Sequence, residues 1–478
     1  MEKVANQPRT ATLPVSRVPV PSPIWLLIAA VLAVLVLYPI AWLLYESVRA
    51  ENGGLTLEHY TRAVSSARFR TSALNSFILA TSVGVLSVLV SAPMAWAIAR
   101  TDMPLRGLVR VLVFGSLVTP GMLTGLAWII LGGPNAGSIN QWYKALTGAA
   151  AGPVNIFSMP GMIFVAFLEC YPLAFIVISS ALTLVSADLE DAANILGSST
   201  WQTMRRITMP LVLPALIAGF ILSFLEALTL FSSPAMIGIP TRTLVLTTQI
   251  WGLFEYPPQL GVAAALSLPL LLVTIVLLWL QRRLLGRRGF ATLTGKGGNH
   301  RLVRLGWVRW LLLAFCLSVV TASVVLPYFV LFTYATAHAW SEPLGPGNFT
   351  LEYFWQVLFQ LEIAQRALGN SLTLATGAAA VATVFGALIA YIVERRTVPG
   401  ARVLAALAMA PMVIPGIVFA VGLFSVYARP PFVLYGTLWI LFIAYLTKFL
   451  PYAFMNTATA VKSVNPELED AARILGAG

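Results

Sequence analysis

Charge is scarce in this chain: 10% of its 478 residues are Asp, Glu, Lys or Arg, against about 25% in soluble domains. A surface so poor in charge cannot clothe a water-soluble protein of this size. Cysteine is limited to Cys170 and Cys316, both inside apolar runs. This excludes a disulfide framework and a thiolate zinc site, and it makes the two thiols packing residues. The three histidines, His59, His300 and His338, fall in separate non-spanning segments without metal-ligand spacing, and no Ser, His and Asp set offers a nucleophile. No catalytic residue and no metal site is therefore expected. A phosphate loop is also missing. The nearest approach, "GFATLTGKGG" from Gly289 to Gly298, has Phe290 where a glycine is required, and Gly297 follows Lys296 where Ser or Thr is required. The chain is not expected to bind ATP itself.

What is abundant is apolar sequence, at 58% of residues. A spanning helix needs about 20 mostly apolar residues, and ten runs qualify: Ile24 to Tyr45, Phe77 to Ala99, Val111 to Leu131, Gly161 to Val185, Leu211 to Phe231, Leu260 to Leu280, Trp310 to Tyr334, Leu372 to Val393, Val403 to Tyr427 and Phe432 to Met455. The first is too long for a secretory signal, and no small-residue cleavage site follows it before Glu46 and Arg49. The reading is an all-α polytopic membrane protein.

The net charge of +12 could point to nucleic acid, but its distribution argues for membrane topology. With a cytoplasmic N-terminus, cytoplasmic segments hold 21 of the 30 Lys and Arg, outside segments hold 8, and Lys448 lies within a span. That bias is the positive-inside signature. The densest cluster, Arg282 to Arg309, has no aromatic interleaving, so it reads as topology and lipid-headgroup contact. The first outside loop, with Arg49, Arg62, Arg68 and Arg70, runs against the bias.

The chain also repeats itself. At an offset of 295, Asn75-Ser76 falls on Asn370-Ser371, Arg100 on Arg395, Pro104 on Pro399, and "TPG" at Thr119 to Gly121 on "IPG" at Ile414 to Gly416. Beyond the outside loop that follows the third span the offset is 279, which aligns Glu169 with Lys448, Pro172 with Pro451, and "LEDAANILG" (Leu189 to Gly197) with "LEDAARILG" (Leu468 to Gly476). Six spans separate equivalent positions, so the repeat is parallel and both "LEDAA" stretches face the cytoplasm. The first copy continues through two further spans, whereas the second reaches Gly478 without them. By the repeat's logic roughly 80 residues and two spans are absent. A chain of this extent, whether a truncated product or an incomplete record, is expected to transport poorly. The domains are a tail at 1–23, a first unit at 24–281 with its loop near 186–210, a basic linker at 282–309, and a second unit at 310–478.

Each repeated stretch has the grammar of a short helix. Ser186 or Asn465 supplies an N-cap, Asp188 or Glu467 sits near the positive end of the helix dipole, and Pro466 takes a first-turn position where proline is tolerated. Gly197 and Gly476 permit a left-handed ending, and the alanine pairs leave room for another surface. A surface helix joining two spans would account for one copy. Two copies at one topological position, more alike than the spans around them, point to docking.

With Asp191-Ala192-Ala193, Gly197 and Ile207-Thr208-Met209-Pro210 in view, the segment resembles the "EAA---G---------I-LP" loop of binding-protein-dependent permeases of ATP-binding-cassette importers. Asp for Glu and Met for Leu are its departures; the second copy matches at Asp470-Ala471-Ala472 and Gly476. The resemblance covers essentially the whole chain. It implies the type I importer transmembrane fold as two tandem parallel repeats of about six helices, the second incomplete. It implies further that Glu190, Asp191, Ala192, Ala193, Gly197, Ile207 and Pro210, with Glu469, Asp470, Ala471, Ala472 and Gly476, couple to a separate ATPase. That partner, expected as a homodimer, would carry the ATP and Mg; this chain would bind no cofactor. An extracytoplasmic solute-binding protein and membrane lipid are the other implied partners, in a bacterial inner membrane. The fused build, "FSSPAMIGIPTRTLVLTTQIWGLF" and the linker most resemble the iron(III) branch, with thiamine, polyamine, phosphonate and inorganic anions as alternatives. A gradient-driven secondary transporter is the alternative of another class, and it leaves the duplicated loop unexplained. An intramembrane enzyme lacks the polar cluster it would need.

Ionisable groups inside spans are costly and usually face protein or water. Glu169 and Lys448 occupy equivalent positions with opposite charge, so they are candidates to meet near the pathway, with local bonding of each to its own surroundings as the alternative. Glu226, in the fifth span, either lines a cation path or is capped by a neighbour such as Ser223. Pro120-Gly121 and Pro415-Gly416 imply paired kinks, read as packing adjustments with hinges as the alternative. If Glu169 and Lys448 pair, reversing both charges restores transport that reversing one abolishes. Additive losses in a vesicle uptake assay would refute the pair.

Overall fold

The computed structural model describes residues 22–50, 52–185, 192–193, 195–285, 302–340, 342, 345–395 and 398–476. Among them the regular structure is helical, with only isolated β-bridges besides. Eight helices are long and apolar enough to cross a membrane: α1 Ile24–Val48, α2 Ala67–Arg100, α5 Met159–Leu184, α6 Trp201–Thr229, α7 Leu260–Leu284, α8 Val308–Ala335, α9 Glu362–Glu394 and α12 Leu438–Ser463. Two bent pairs raise the count to ten if each is one span: α3 Arg106–Val118 with α4 Gly121–Gly132, and α10 Ala401–Val413 with α11 Gly416–Tyr427.

The bends correct the sequence reading of the third and ninth runs. They are not kinks in continuous helices but breaks of 101° and 109°, and both fall at the repeated Pro-Gly. The backbone explains the first. Pro120 has no N–H to continue the ladder and disfavours helical geometry in the residue before it. Thr119 and Pro120 accordingly adopt extended conformations, at ψ 124° and 127°. The tenth run also shifts, since its helix begins at Leu438 rather than Phe432.

Prolines organise the helices elsewhere. Pro39 and Pro327 each follow a π-turn, Ala33–Leu37 in α1 and Thr321–Val325 in α8. In each turn the residue before the proline bonds five residues back, Tyr38 to Ala33 and Leu326 to Thr321. The next carbonyl, Val34 or Ala322, would pair with the proline's missing N–H. Each instead takes an aromatic donor. Tyr427 Oη donates to Val34 at 3.3 Å, and Trp128 Nε1 donates to Ala322 at 3.2 Å. Pro172 inside α5 frees the Leu168 carbonyl, which accepts from Ser116 Oγ at 2.9 Å.

Two compact units result, and they do not coincide with contiguous halves. One comprises the described residues within 22–42, 368–413 and 423–476. Here Ile28 and Leu32 of α1 pack into a core with Ile389, Leu404, Ala408, Leu450 and Phe454. The other comprises residues 43–367 and 414–422. It is built on α2, α5 and α6, brought close by Gly84 under Phe220 and Gly219 under Ala174. It also holds α8, whose Ser323 Oγ lies 3.1 Å from Tyr171 Oη. The first helix of each repeat therefore packs with helices of the other repeat.

A latch fastens the start of the second repeat to the corner after α2. Val303 N donates to the Arg100 carbonyl at 2.8 Å, and Asp102 N donates to the Val303 carbonyl at 3.2 Å. Leu305 N donates to Asp102 Oδ1 at 3.0 Å, and Arg309 reaches Asp102 Oδ2 at 3.3 Å. The Leu305 N–H, reinforced by the Arg309 charge, holds the Asp102 carboxyl below its usual range. Because the folded value is the lower one, the latch is strengthened above the ordinary carboxylate range and weakens as pH falls through the depressed value. Backbone amides of residues 302–309 should therefore stay protected in hydrogen exchange down to about pH 5. Asp102→Ala should deprotect them at neutral pH, and unchanged exchange in that variant would show that the latch does not depend on the carboxylate.

Candidate functional site

The repeated "LEDAA" stretches form the candidate site. In the second repeat a short helix, α13 Pro466–Ile474, follows α12. Asn465 caps it, with Oδ1 accepting from Glu467 N at 3.1 Å, and Pro466 occupies the first helical position. Glu467 and Glu469 stand in the first turn, where the dipole favours anions. Glu469 Oε1 accepts from Arg395 Nε at 2.9 Å and Nη2 at 2.5 Å. The helix ends with Leu475 N bonded to the Ala471 carbonyl at 3.1 Å, then Gly476 at φ +87°.

The first repeat ends its stretch in the same way. Leu196 N bonds the Ala192 carbonyl at 3.1 Å, Ser198 N bonds the Ala193 carbonyl at 3.0 Å, and Gly197 has φ +85°. At such an angle a glycine has no steric competitor. Ala192 is exposed and Ala193 buried, while in the second repeat Ala471 and Ala472 are both exposed. Ser186, Asp188, Glu190, Asp191 and the linker at 286–301 lie outside the described residues, and so do the side chains of Pro466 and Asp470. Ile207 lies in a π-turn, Met204–Thr208, that precedes Met209-Pro210 at the start of the fifth crossing. The "I-LP" element is thus a proline-directed helix entry.

The sequence reading missed the residues most available to a partner. Ile195 and Leu196 are 85% and 86% exposed, and their equivalents Ile474 and Leu475 are 86% and 87% exposed. An apolar pair held out before a left-handed glycine, twice, is an apolar knob rather than a solvated turn. The signal was in the repeat, since "ILG" closes both copies letter for letter.

Glu169 and Lys448 each have a partner inside their own compact unit. Glu169 packs beside Gly121, the first residue of α4, and its Oε2 accepts from Ser232 Oγ at 3.1 Å. Lys448 Nζ donates to the Pro411 carbonyl at 3.4 Å, the group left without a helical donor by Pro415. Equivalent positions thus serve the same break from opposite sides. The carboxylate stands at the N-terminal end of α4 and the ammonium at the C-terminal end of α10, as the helix dipoles favour. Glu226 is exposed, and Ser223 does not serve as its cap. That hydroxyl donates to the Cys170 carbonyl at 3.3 Å.

At the other end of α2, Asn75 and Ser76 anchor the segment ahead of the Leu246–Gly252 helix. Asn75 Nδ2 donates to the Leu244 carbonyl at 2.9 Å, and Ser76 Oγ accepts from Leu246 N at 2.7 Å.

Residues 85–289 match the family of binding-protein-dependent transport system inner membrane components. A ferric transport system permease protein of Actinobacillus pleuropneumoniae is 26% identical over 83% of this chain and 57% of its own length. A molybdenum transport system permease protein of Haemophilus influenzae is 28% identical over 46% of this chain and 96% of its own length. Among solved structures, a bacterial ABC transporter for the acidic polysaccharide alginate aligns over 54% of this chain and 96% of that chain, at 18% identity and a TM-score of 0.45. The chain therefore spans little more than half the length of the ferric relative.

The two breaks differ in how tightly they are filled. A Cβ at Gly121 would collide with the Glu169 carboxylate and the Ser232 hydroxyl, whereas one at Gly416 meets nothing within 4 Å. Gly121→Ala should cost about 1–3 kcal/mol through overpacking, read as a lower unfolding midpoint in detergent. Gly416→Ala should leave the midpoint in place; equal losses would show that the carboxylate does not occupy the first bend.

Proposed function

We propose that this chain, a membrane permease component of the binding-protein-dependent ATP-binding-cassette importers, forms a translocation pathway driven from outside itself. A solute-binding protein delivers substrate on the extracytoplasmic side. A separate ATPase presses on the two cytoplasmic loops and so alternates access. The N-terminus lies in the cytoplasm.

The observation that carries this reading is the duplicated loop ending. Each repeat offers Ile-Leu outward at the end of a short helix and terminates it with a left-handed glycine. A twofold ATPase needs two equivalent docking points, and a parallel repeat of the loop supports such a pair. Burying an exposed apolar pair in a partner groove would contribute about 1.5–3 kcal/mol per side chain. That is enough for a knob of this size to anchor the contact.

Ferric iron is the substrate we favour. The ferric relative aligns along both repeats, whereas the molybdenum relative covers fewer than half of the residues. Iron would be cargo here and not a resident metal. Thiamine, polyamine, phosphonate and inorganic anions are the competitors that an uptake assay must separate.

Co-expression with the candidate ATPase tests the docking reading directly. Wild type should retain the ATPase through purification in detergent. Leu196→Asp combined with Leu475→Asp should lose it, and Gly197→Val or Gly476→Val, each forcing a β-branched residue into left-handed backbone, should weaken retention by about tenfold or more. If wild type never holds an ATPase, the coupling role falls and a gradient-driven transporter takes its place.

A further inference from the structure

Two arginines that the repeat equates, Arg100 and Arg395, have no part in the loop motif. Both stand where a second crossing ends, Arg100 as the last residue of α2 and Arg395 directly after α9. Arg100 is buried at 2% exposure. Its Nη2 donates to the carbonyls of Leu182 and Val185, each at 2.7 Å. Arg395 Nη2 donates to the Val464 carbonyl at 3.1 Å. Val185 and Val464 are themselves equivalent at the offset of 279. The same hydrogen bond therefore occurs in both repeats, from the end of the second crossing to the residue that closes the fourth.

Those carbonyls belong to the last turn of a helix, where the backbone has no intrahelical donor and carries partial negative charge. A guanidinium suits them because its planar fork can serve several acceptors at once and keeps its charge when buried. Arg395 uses that capacity to span a corner. One arm holds Val464 at the end of α12, while Nε and Nη2 hold Glu469 in the first turn of α13. Lys462 on the last turn of α12 reaches Glu394 at 3.2 Å beside it. The main chain of Arg100 also accepts Val303 N, so in the first repeat this corner is fastened on two sides.

We propose that Arg100 and Arg395 are positioning residues that clamp the base of each loop, where the fourth crossing ends, to the second crossing of its repeat, Arg395 also holding the loop helix through Glu469. This rests on the coupling reading above and adds a route to it. Without the clamp, a push on the loop helix reaches the membrane through the covalent chain alone. With it, the second and fourth crossings move as one body. Arg395 acts through carbonyls and a carboxylate, not on solute or nucleotide.

Hydrogen exchange on the full chain in lipid nanodiscs reads the clamp without any ATPase. Arg395→Met should raise exchange across residues 464–475 by about tenfold while peptides from α9 and from the rest of α12 stay as in wild type. Glu469→Gln, which keeps the bond to Val464, should give a smaller rise confined to α13. Arg100→Met should loosen residues 192–203 in the same way. If Arg395→Met disturbs the whole bundle, Glu469→Gln decides; unchanged α13 exchange in that variant overturns the clamp. A second readout is transport per ATP in proteoliposomes. Arg395→Met should still hold the ATPase, because Ile474 and Leu475 remain, yet transport per ATP should fall by about tenfold or more. Wild-type transport per ATP in that variant would overturn the mechanical role. Failure of wild type to hold an ATPase would instead strike the coupling reading, and the exchange data would still judge the clamp.

Discussion

A carbonyl freed by proline inside a hydrocarbon layer has no water to turn to, and leaving it unpaired costs several kcal/mol. Much of this structure follows from that debt. Pro39 and Pro327 open π-turns whose spare carbonyls draw Tyr427 and Trp128. Pro172 exposes Leu168 to Ser116, and Pro415 leaves Pro411 to Lys448. Each proline thereby names a crossing that must be approached by a second one carrying a donor. The exchange of first helices between repeats has such bonds in it, since Trp128 reaches α8 and Tyr427 reaches α1.

The same shortage shapes the ends of the second and fourth crossings. A helix that stops leaves four carbonyls without intrahelical donors, and water is only partly available at the membrane boundary. Arg100 and Arg395 meet that need in both repeats. The loop helices then finish in left-handed glycines, so the chain can turn sharply while the residues just before the turn are held outward. Satisfied polar ends and an exposed apolar knob are therefore two results of one turn geometry. A surface used for docking needs both: a rigid base and a face that is not already committed.

Much of this could be read beforehand. The ten apolar runs, the parallel repeat and the paired loops stand in the sequence because hydropathy and repetition are local. The N-cap at Asn465 and the left-handed Gly197 and Gly476 follow from residue type alone. The breaks at Thr119 to Gly121 and Ile414 to Gly416 were legible as places but not as angles, since a proline permits anything from a slight kink to a right-angle turn. The assignment of Ser223 to Glu226 failed because a serine one turn away on the same helix has other acceptors, and Cys170 on a neighbouring helix supplied one.

By itself the sequence determined that the chain carries many apolar runs long enough to cross a membrane, that they recur in one pattern twice, and that each pattern carries the same "LEDAA" stretch. These are properties of composition, period and offset, which no packing can alter. Only the tertiary structure decided which donor answers each freed carbonyl, which helices join in one compact unit, and that Ile195, Leu196, Ile474 and Leu475 stand uncovered. Those outcomes depend on pairings between residues tens to hundreds of positions apart. A proline in the sequence declares that a partner is needed, and only the fold brings one within hydrogen-bonding distance.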